Sequence, residues 1–165
     1  MIKRFAQTTV IAVLIIFLLT ITSCDPARKY EKAEKESITN FLRQNDSIEF
    51  THETSGLYYH EVVAGTGRQP VQHDTAYVFY TGRYTNGTVF NTNVGGAILN
   101  FPVGEGYLIS GFDEGVQYMK EGGKSTLLLP SNLAYGTQGS YPIPGYTALV
   151  FDVQLIKVAP GPSKK

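Results

Sequence analysis

The chain has 165 residues, and its 14 Lys and Arg balance its 14 Asp and Glu to a formal net charge of zero. This length holds one ordinary domain and a short tail. A hydrophobic content of 42% against 17% charged residues favours a packed core and excludes wholesale disorder. No basic surplus points to nucleic acid. The single cysteine excludes an internal disulfide.

The first residues have the pattern of a secretory signal. Lys3 and Arg4 precede the apolar run "VIAVLIIFLLTI", Val10 to Ile21. This run is shorter than the ~20 residues that a membrane-spanning helix needs. A basic start followed by an apolar segment of this length is typical of a signal peptide. We therefore predict that residues 1–23 are a signal peptide.

The next residues, "ITSC" (Ile21 to Cys24), resemble the lipobox of bacterial lipoproteins. The resemblance implies that Cys24 becomes the lipidated N-terminus and that acyl chains such as palmitate hold the protein on a membrane. More than one buried chain makes such attachment stable. The expected location is the bacterial cell envelope, facing the periplasm or the cell exterior. The alternative is an uncleaved anchor helix with an incidental cysteine.

Residues 24–54 are predicted to be a tether. The segment "PARKYEKAEKESITNFLRQN" alternates Lys and Glu among good helix formers, which favours an exposed helix. Its apolar stripe is thin, with Ala33, Ile38, Phe41 and Leu42. We interpret it as a solvated spacer, and a dimerisation helix is the alternative. No sustained heptads indicate a coiled coil.

Strand patterns dominate the rest of the chain. "TAYVFYTGRY" (Thr75 to Tyr84) alternates like a strand with two differently used faces, and Asn86-Gly87 then predicts a hairpin. Further strands are predicted at "GLYYHEVV", "ILNFPVG", "KSTLLLP" and "TALVFDVQLIKV", the last with Leu149, Phe151, Val153 and Leu155 on alternate positions.

One segment changes to a helical period. Leu108, Phe112, Val116 and Met119 recur at spacings of four, four and three, as on one face of a short helix. The long loop "SNLAYGTQGSYPIPGY" precedes the last strand, and a loop of this length in a compact domain is often functional. The pattern predicts an α+β domain, followed by a disordered tail over residues 159–165.

Ordered motifs across this domain resemble the FKBP-type peptidyl-prolyl isomerases, and the resemblance implies a domain over residues 55–158. The motifs are "VFYTGRYTNGTVFN", "FPVGEGYLISGFDEGVQYMKEGGKSTLLLPSNLAYG" and "IPGYTALVFDVQLIKV". The resemblance implies a twisted antiparallel sheet wrapped around one short helix. It also implies catalysis of cis-trans rotation about X–Pro bonds in polypeptides, without cofactor or metal, and binding of macrolide-type FKBP ligands.

The resemblance also assigns the pocket. It implies catalytic roles for Tyr80, Phe90, Asn91, Phe112, Tyr135 and Phe151, and substrate contacts for Phe101, Leu108, Ile109 and Ile143. Phe112 would form the floor, the Ile109 backbone N–H would bind the ligand, and the Tyr135 hydroxyl would donate to a substrate carbonyl. No Ser nucleophile pattern accompanies the three scattered histidines, His52, His60 and His73, and their spacing does not suit a metal site.

Two positions depart from the family pattern. Phe112 stands where many members have Trp, and Asn91 stands where the family usually has Asp. Asn keeps an acceptor oxygen but loses the negative charge. Asn91 therefore leaves a second interpretation open, a non-catalytic peptide-binding or chaperone-like envelope module, or an assembly factor, with the same fold.

Overall fold

The computed structural model of the chain describes residues 26–161. The chain divides into two compact units, Met1–Tyr30 and Glu31–Lys165. Of the first unit, only the beginning of helix α1 (Pro26–Gln44) is described. The predicted signal peptide and Cys24 lie outside the described residues. Neither α-helix between residues 26 and 161 is long and apolar enough to cross a bilayer.

Within residues 26–161, seven strands form one antiparallel sheet. They are β1 (Thr51–His52), β2 (Tyr58–Val63), β3 (Thr75–Tyr84), β4 (Val89–Thr92), β5 (Leu99–Pro102), β6 (Lys124–Leu129) and β7 (Leu149–Ala159). The order is β1–β2–β6–β7–β3–β4, and β5 pairs with the first half of β3. The longest pairing joins β3 to β7, from Thr75 opposite Ala159 to Tyr84 opposite Leu149.

The predicted hairpin is confirmed between β3 and β4. Gly87 has φ +89°, in the left-handed region that favours glycine. The Asn86 side-chain oxygen accepts a hydrogen bond from the Thr88 N–H at 3.0 Å. These two residues therefore provide the turn that the Asn-Gly pair predicts.

The short helix α2 (Ser110–Tyr118) packs against the inner face of the sheet, which we define by Leu127, Leu129, Leu149 and Phe151. Of the predicted helical stripe, Phe112, Val116 and Met119 are buried, whereas Leu108 precedes the helix and is half-buried. A Cβ atom on Gly115 would lie 2.5 Å from Leu127 Cδ1. Glycine at this position therefore lets the helix approach β6 closely. The antiparallel sheet packed around this short helix confirms the predicted fold class.

The C-terminal half of α1 packs against the opposite, outer face. Phe41 is only 4% exposed and shares a buried cluster with Leu128, Ala148 and Val150. Adjacent strand residues point to opposite faces, so Leu128 lies outside while Leu127 lies inside. The prediction of a solvated spacer is wrong for this half of the helix, because Phe41 is buried against the sheet and Ile38 and Leu42 are half-buried beside it.

Two predicted boundaries also shift. Strand β1, inside the predicted tether, pairs with β2 through Thr51 opposite Tyr59. Ala159, predicted to be in the tail, ends β7. The Gly161 N–H then donates to Asp74 Oδ1 at 3.0 Å. Backbone pairing and this hydrogen bond extend the ordered domain beyond both boundaries, and residues 162–165 lie outside the described residues.

Candidate functional site

A cavity opens between the inner face of the sheet and the start of α2. Counted together with the open space at its mouth, its volume is about 430 Å³. Its lining is mostly apolar and aromatic, and consists of Tyr80, Phe90, Asn91, Leu99, Leu108, Ile109, Phe112, Tyr135 and Phe151. The side chains of the protein leave this hollow open, so an apolar group of modest size can enter it.

Aromatic rings in edge-to-face contact form the floor and walls. Phe112 and Phe151 have ring centroids 5.3 Å apart at an interplanar angle of 83°. Phe90 meets Phe151 at 5.8 Å and 86°, and Tyr80 meets Phe112 at 5.7 Å and 78°. Such edge-to-face pairs add stability beyond the area they bury. Each ring therefore holds the orientation of the next.

Gly82 on β3 makes room for two of these rings. It lies directly opposite Phe151 on β7. A Cβ atom at this position would lie 2.6 Å from Phe90 Cζ and 2.9 Å from Phe151 Cε1. Both contacts are too short for any side chain, so a residue larger than glycine would displace the walls of the cavity.

Tyr80 and Asn91 form the polar edge of the cavity. The Tyr80 hydroxyl donates to Asn91 Oδ1 at 3.1 Å. Burial, and to a lesser degree the neighbouring Tyr135, raises the pKa of Tyr80 above its usual value. The hydroxyl therefore stays protonated at neutral pH and remains a donor. Asn91 provides the acceptor oxygen that an Asp would provide, without the charge.

Asn93 braces the backbone behind this edge. Its side-chain oxygen accepts from the Tyr80 N–H at 2.7 Å, and its amide nitrogen donates to the Val78 and Ala97 carbonyls, both at 3.1 Å. Sequence reasoning missed this role. Asn commonly bonds nearby backbone groups, so its position in the turn after β4 was the available sign that Asn93 holds the backbone there.

At least two hydrogen-bond donors at the cavity have no acceptor among residues 26–161. One is the backbone N–H of Ile109, whose carbonyl accepts from the Phe112 and Asp113 N–H groups, each at 3.1 Å, as α2 begins. The other is the hydroxyl of Tyr135, which lines the same cavity. Both donors are therefore available to a ligand.

Eight of the ten predicted pocket residues line the cavity together, and Phe101 and Ile143 do not. Phe101 is 1% exposed and Ile143 is 6% exposed, and both belong to the core. The Phe101 ring supports the Phe112 ring from within the core at 6.0 Å. Leu99, two residues earlier on the same face of β5, lines the cavity instead. The alternation along "ILNF" places Leu99 and Phe101 on one face but does not say which of them reaches the cavity.

The histidines lie away from the cavity. His52 stacks on Tyr58 at 4.2 Å, His60 Nδ1 lies 2.9 Å from the Glu49 carbonyl, and His73 pairs with Glu105. Within the part of the chain that is described, no three His, Cys, Asp or Glu side chains are grouped to hold a metal ion.

Comparison with known proteins assigns this chain to a family. The profile of the FKBP-type peptidyl-prolyl cis-trans isomerases matches residues 66–156. The chain belongs to this family. A crystal structure of a peptidyl-prolyl cis-trans isomerase from Pseudomonas syringae superposes with a TM-score of 0.71 at 28% identity, covering 84% of this chain and 99% of that one.

The FkpA proteins are among its relatives. A probable FKBP-type peptidyl-prolyl cis-trans isomerase FkpA from Neisseria meningitidis is 43% identical over 77% of this chain and 47% of its own length. FkpA from Aeromonas hydrophila is 40% identical over 77% of this chain and 50% of its own length. The crystal structure of FkpA from Escherichia coli gives a TM-score of 0.69 at 34% identity, covering 93% of this chain and 73% of that chain. The chain thus spans about half the length of these two curated relatives.

Proposed function

We propose that this protein catalyses cis-trans rotation about X–Pro bonds in polypeptides. The observation that supports the proposal is the open apolar cavity walled by the aromatic rings of Tyr80, Phe90 and Phe112, each packed against the ring of Phe151. Rotation about a peptide bond meets a barrier of ~18–20 kcal/mol and is slow at proline. No covalent bond changes, so the pocket only has to bind the twisted amide more tightly than the planar one.

Each wall residue then has a role. The proline ring would rest on Phe112 between Phe90 and Phe151. The Ile109 N–H and the Tyr135 hydroxyl would donate to peptide carbonyls on either side of the proline. A twisted amide is less polar than a planar one, so a largely apolar cavity favours the transition state. The substrates would be proline-containing segments of secreted or envelope proteins during folding.

A direct assay of isomerisation tests the proposal. We expect micromolar protein to accelerate the cis-trans relaxation of an Ala-Leu-Pro-Phe peptide, followed by NMR exchange without a coupling protease. Phe112→Leu should lower kcat/KM because it removes the ring that forms the floor. Ile156→Ala, an exposed change elsewhere on β7, is the matched control. Absence of acceleration by a folded wild-type chain would refute the proposal.

The alternative interpretation, a non-catalytic peptide-binding module with the same fold, depends on Asn91. Its oxygen accepts the Tyr80 hydroxyl at 3.1 Å, the contact that an acidic residue would also make there. We therefore expect Asn91→Asp to change kcat/KM by less than about tenfold, since only the charge differs. A rise of several hundredfold from a barely measurable wild-type rate would favour the peptide-binding module instead.

A macrolide ligand of the FKBP type should occupy the same cavity. A ring of the ligand would take the place of the proline ring on Phe112, and ligand carbonyls would accept from the Ile109 N–H and the Tyr135 hydroxyl. We expect competitive inhibition in the isomerisation assay. Tight macrolide binding without inhibition would place the ligand elsewhere.

We further propose that the chain is anchored to a membrane of the bacterial envelope through lipid on Cys24, after removal of residues 1–23. The support is the basic and apolar leader with its "ITSC" ending. We expect an alkyne-tagged fatty acid fed to expressing cells to label the wild-type protein and not Cys24→Ser. Equal labelling of both would exclude Cys24 as the attachment site.

A further inference from the structure

Helix α1 reaches the loop that carries Tyr135. The Glu34 carboxylate accepts two hydrogen bonds from one residue, the first from the Ser131 backbone N–H and the second from the Ser131 hydroxyl, at 2.9 Å to Oε2. Ser131 is 6% exposed. The two partners are 97 positions apart along the chain. This contact therefore joins the segment before the domain to the start of the active-site loop.

Ser131 in turn holds both neighbours of Tyr135. Its carbonyl oxygen accepts from the Ala134 N–H at 2.9 Å and from the Gly136 N–H at 2.7 Å. The Gly136 carbonyl then accepts from the Tyr146 N–H at 3.0 Å, which ties the start of the loop to its end. A shift of Ser131 would thus move the backbone on either side of the Tyr135 ring.

The same face of α1 also secures the far end of this loop. Glu34, Ile38 and Phe41 are spaced by four and three residues and so lie on one face of the helix. Phe41 belongs to the buried cluster of Ala148 and Val150, where the loop enters β7, and Ile38 packs against that cluster. One helix face therefore fixes the loop from Ser131 to Ala148 at both ends.

We propose that Glu34 is a positioning residue for isomerisation, acting through Ser131 to hold the Tyr135 hydroxyl at the cavity. This role rests on the proposed isomerase activity. Helix α1 then contributes to the active site in addition to preceding the domain in the chain. Detachment of α1 from the outer face would lower activity without changing any residue of the cavity.

The chemistry of the contact explains why a carboxylate stands here. Ser131 begins a short 3₁₀ turn, Ser131–Leu133, whose preceding residue Pro130 makes no side-chain capping bond. The first N–H groups of such a turn have no partner within it. A carboxylate can accept the N–H and the hydroxyl at once, in charge-assisted bonds stronger than neutral ones. Alanine at position 34 would leave both Ser131 donors without this acceptor.

Three variants isolate this contact. We expect Glu34→Ala to lower kcat/KM for the Ala-Leu-Pro-Phe peptide by about three- to tenfold, the loss that one or two hydrogen bonds allow. Glu34→Gln keeps an acceptor for the N–H and a donor for the hydroxyl oxygen, so it should remain within about twofold of wild type. Glu36→Ala, on the same helix with a side chain 64% exposed, should equal wild type. Equal activity of Glu34→Ala and wild type overturns the proposal.

A double-mutant cycle with Tyr135→Phe distinguishes positioning from general support of the fold. If Glu34 acts by placing the Tyr135 hydroxyl, Glu34→Ala should lower kcat/KM by less than about twofold once that hydroxyl is absent. A destabilised but otherwise uncoupled domain would show the same fold loss in both backgrounds, and that result would refute the role.

Amide hydrogen exchange provides a readout that does not depend on catalysis. In the full chain, Glu34→Ala should accelerate exchange of the Ala134 and Gly136 amides at least about tenfold, because their acceptor Ser131 is released. The Leu127 and Phe151 amides in the sheet should be unchanged. An inactive wild type would refute the isomerase proposal, whereas unchanged exchange at Ala134 and Gly136 would refute the positioning by Glu34.

Discussion

The two faces of the sheet bury similar side chains, but the outer face forms a closed cluster and the inner face borders an open cavity. Val150 and Phe151 are neighbours on β7, and both are at least 96% buried. Val150 points outward into the closed cluster under Phe41, whereas Phe151 points inward and lines the open cavity. One strand therefore contributes to both a sealed contact and an open cavity, because its side chains alternate.

The difference lies in how the packing is completed. On the outer face, α1 covers the apolar residues, and the Arg83 guanidinium lies 5.8 Å from the Phe41 ring centroid while it pairs with Asp152. On the inner face, α2 covers the core but leaves a hollow beside Phe112. Side chains around a void lose packing partners. The edge-to-face rings offset this loss and keep the hollow open without a change of fold.

The largest effect is expected from Phe151→Ala. The residue is 4% exposed and contacts the rings of Tyr80, Phe90 and Phe112. Its truncation should lower the free energy of unfolding by about 3–5 kcal/mol, the usual range for a buried phenylalanine. Loss of a cavity wall should also lower kcat/KM more than about tenfold under conditions where the variant is folded. Urea unfolding and the peptide assay measure the two effects, and full activity would exclude Phe151 from the site.

The same truncation on the outer face, Phe41→Ala, is the matched comparison because Phe41 is also 4% exposed. We expect a loss of about 3 kcal/mol of stability, at the low end of the range because this cluster is smaller. Activity should fall no further than in Glu34→Ala, because the cavity walls remain. If Phe41→Ala abolished activity in a folded protein, the outer cluster would be as important for catalysis as the walls of the cavity.

A third change lies in a polar network outside the cavity lining. Asp74, which is buried, accepts from the Arg68 guanidinium at 2.6 and 2.8 Å, from the Val71 N–H and from the Gly161 N–H. Burial alone would raise the pKa of Asp74, but these hydrogen bonds and the Arg68 charge together lower it below its usual value. Its stabilising effect is therefore present above the unfolded pKa, about 3.9, and is lost as the pH falls through the lower folded pKa.

Asp74→Asn should therefore be less stable than wild type at pH 7 by about 1–3 kcal/mol, as for hydrogen bonds to a charged group. The difference should shrink as the pH falls below about 4. Urea midpoints of both proteins from pH 7 to pH 2.5 measure it, and kcat/KM at pH 7 should be unchanged. A difference that stayed constant down to pH 2.5 would show that the carboxylate charge is not the source.

The fold was predictable because its signals are local. The alternation over Thr75 to Tyr84 matches β3 residue for residue, and Asn86-Gly87 makes the predicted turn. Phe112, Val116 and Met119 reach the core as their helical spacing predicts. The role of α1 was not predictable in this way. Its Lys and Glu residues have the pattern of a solvated helix, and no local signal reveals that Ser131, 97 positions away, is the partner of Glu34.

The residues that line the cavity were predictable where sequence motifs on strands and helices identify them, and were not predictable where the packing of a loop determines their position. Tyr80, Phe112 and Phe151 lie on regular elements, and their resemblance to the family placed them at the cavity. Ile143 lies in the long loop, whose course depends on many contacts, and it packs into the core instead. Leu99 and Phe101 share one face of β5, so choosing between them required the three-dimensional register, in which Leu99 pairs opposite Val78 and Phe101 opposite Ala76.

The smallest effect is expected from Tyr135→Phe, and it tests the polar part of the cavity. Among residues 26–161 the Tyr135 hydroxyl has no hydrogen-bond acceptor, so its removal should leave the thermal midpoint unchanged. One hydrogen bond to the substrate is worth ~0.5–1.5 kcal/mol, which predicts a loss of about two- to thirteenfold in kcat/KM. Tyr118→Phe is the matched control, because it removes a hydroxyl bonded to Glu114 at 3.0 Å outside the cavity lining. If the midpoint fell in Tyr135→Phe while activity stayed constant, the hydroxyl would serve the fold, and the inner face would bind substrate by apolar contact and the Ile109 N–H alone.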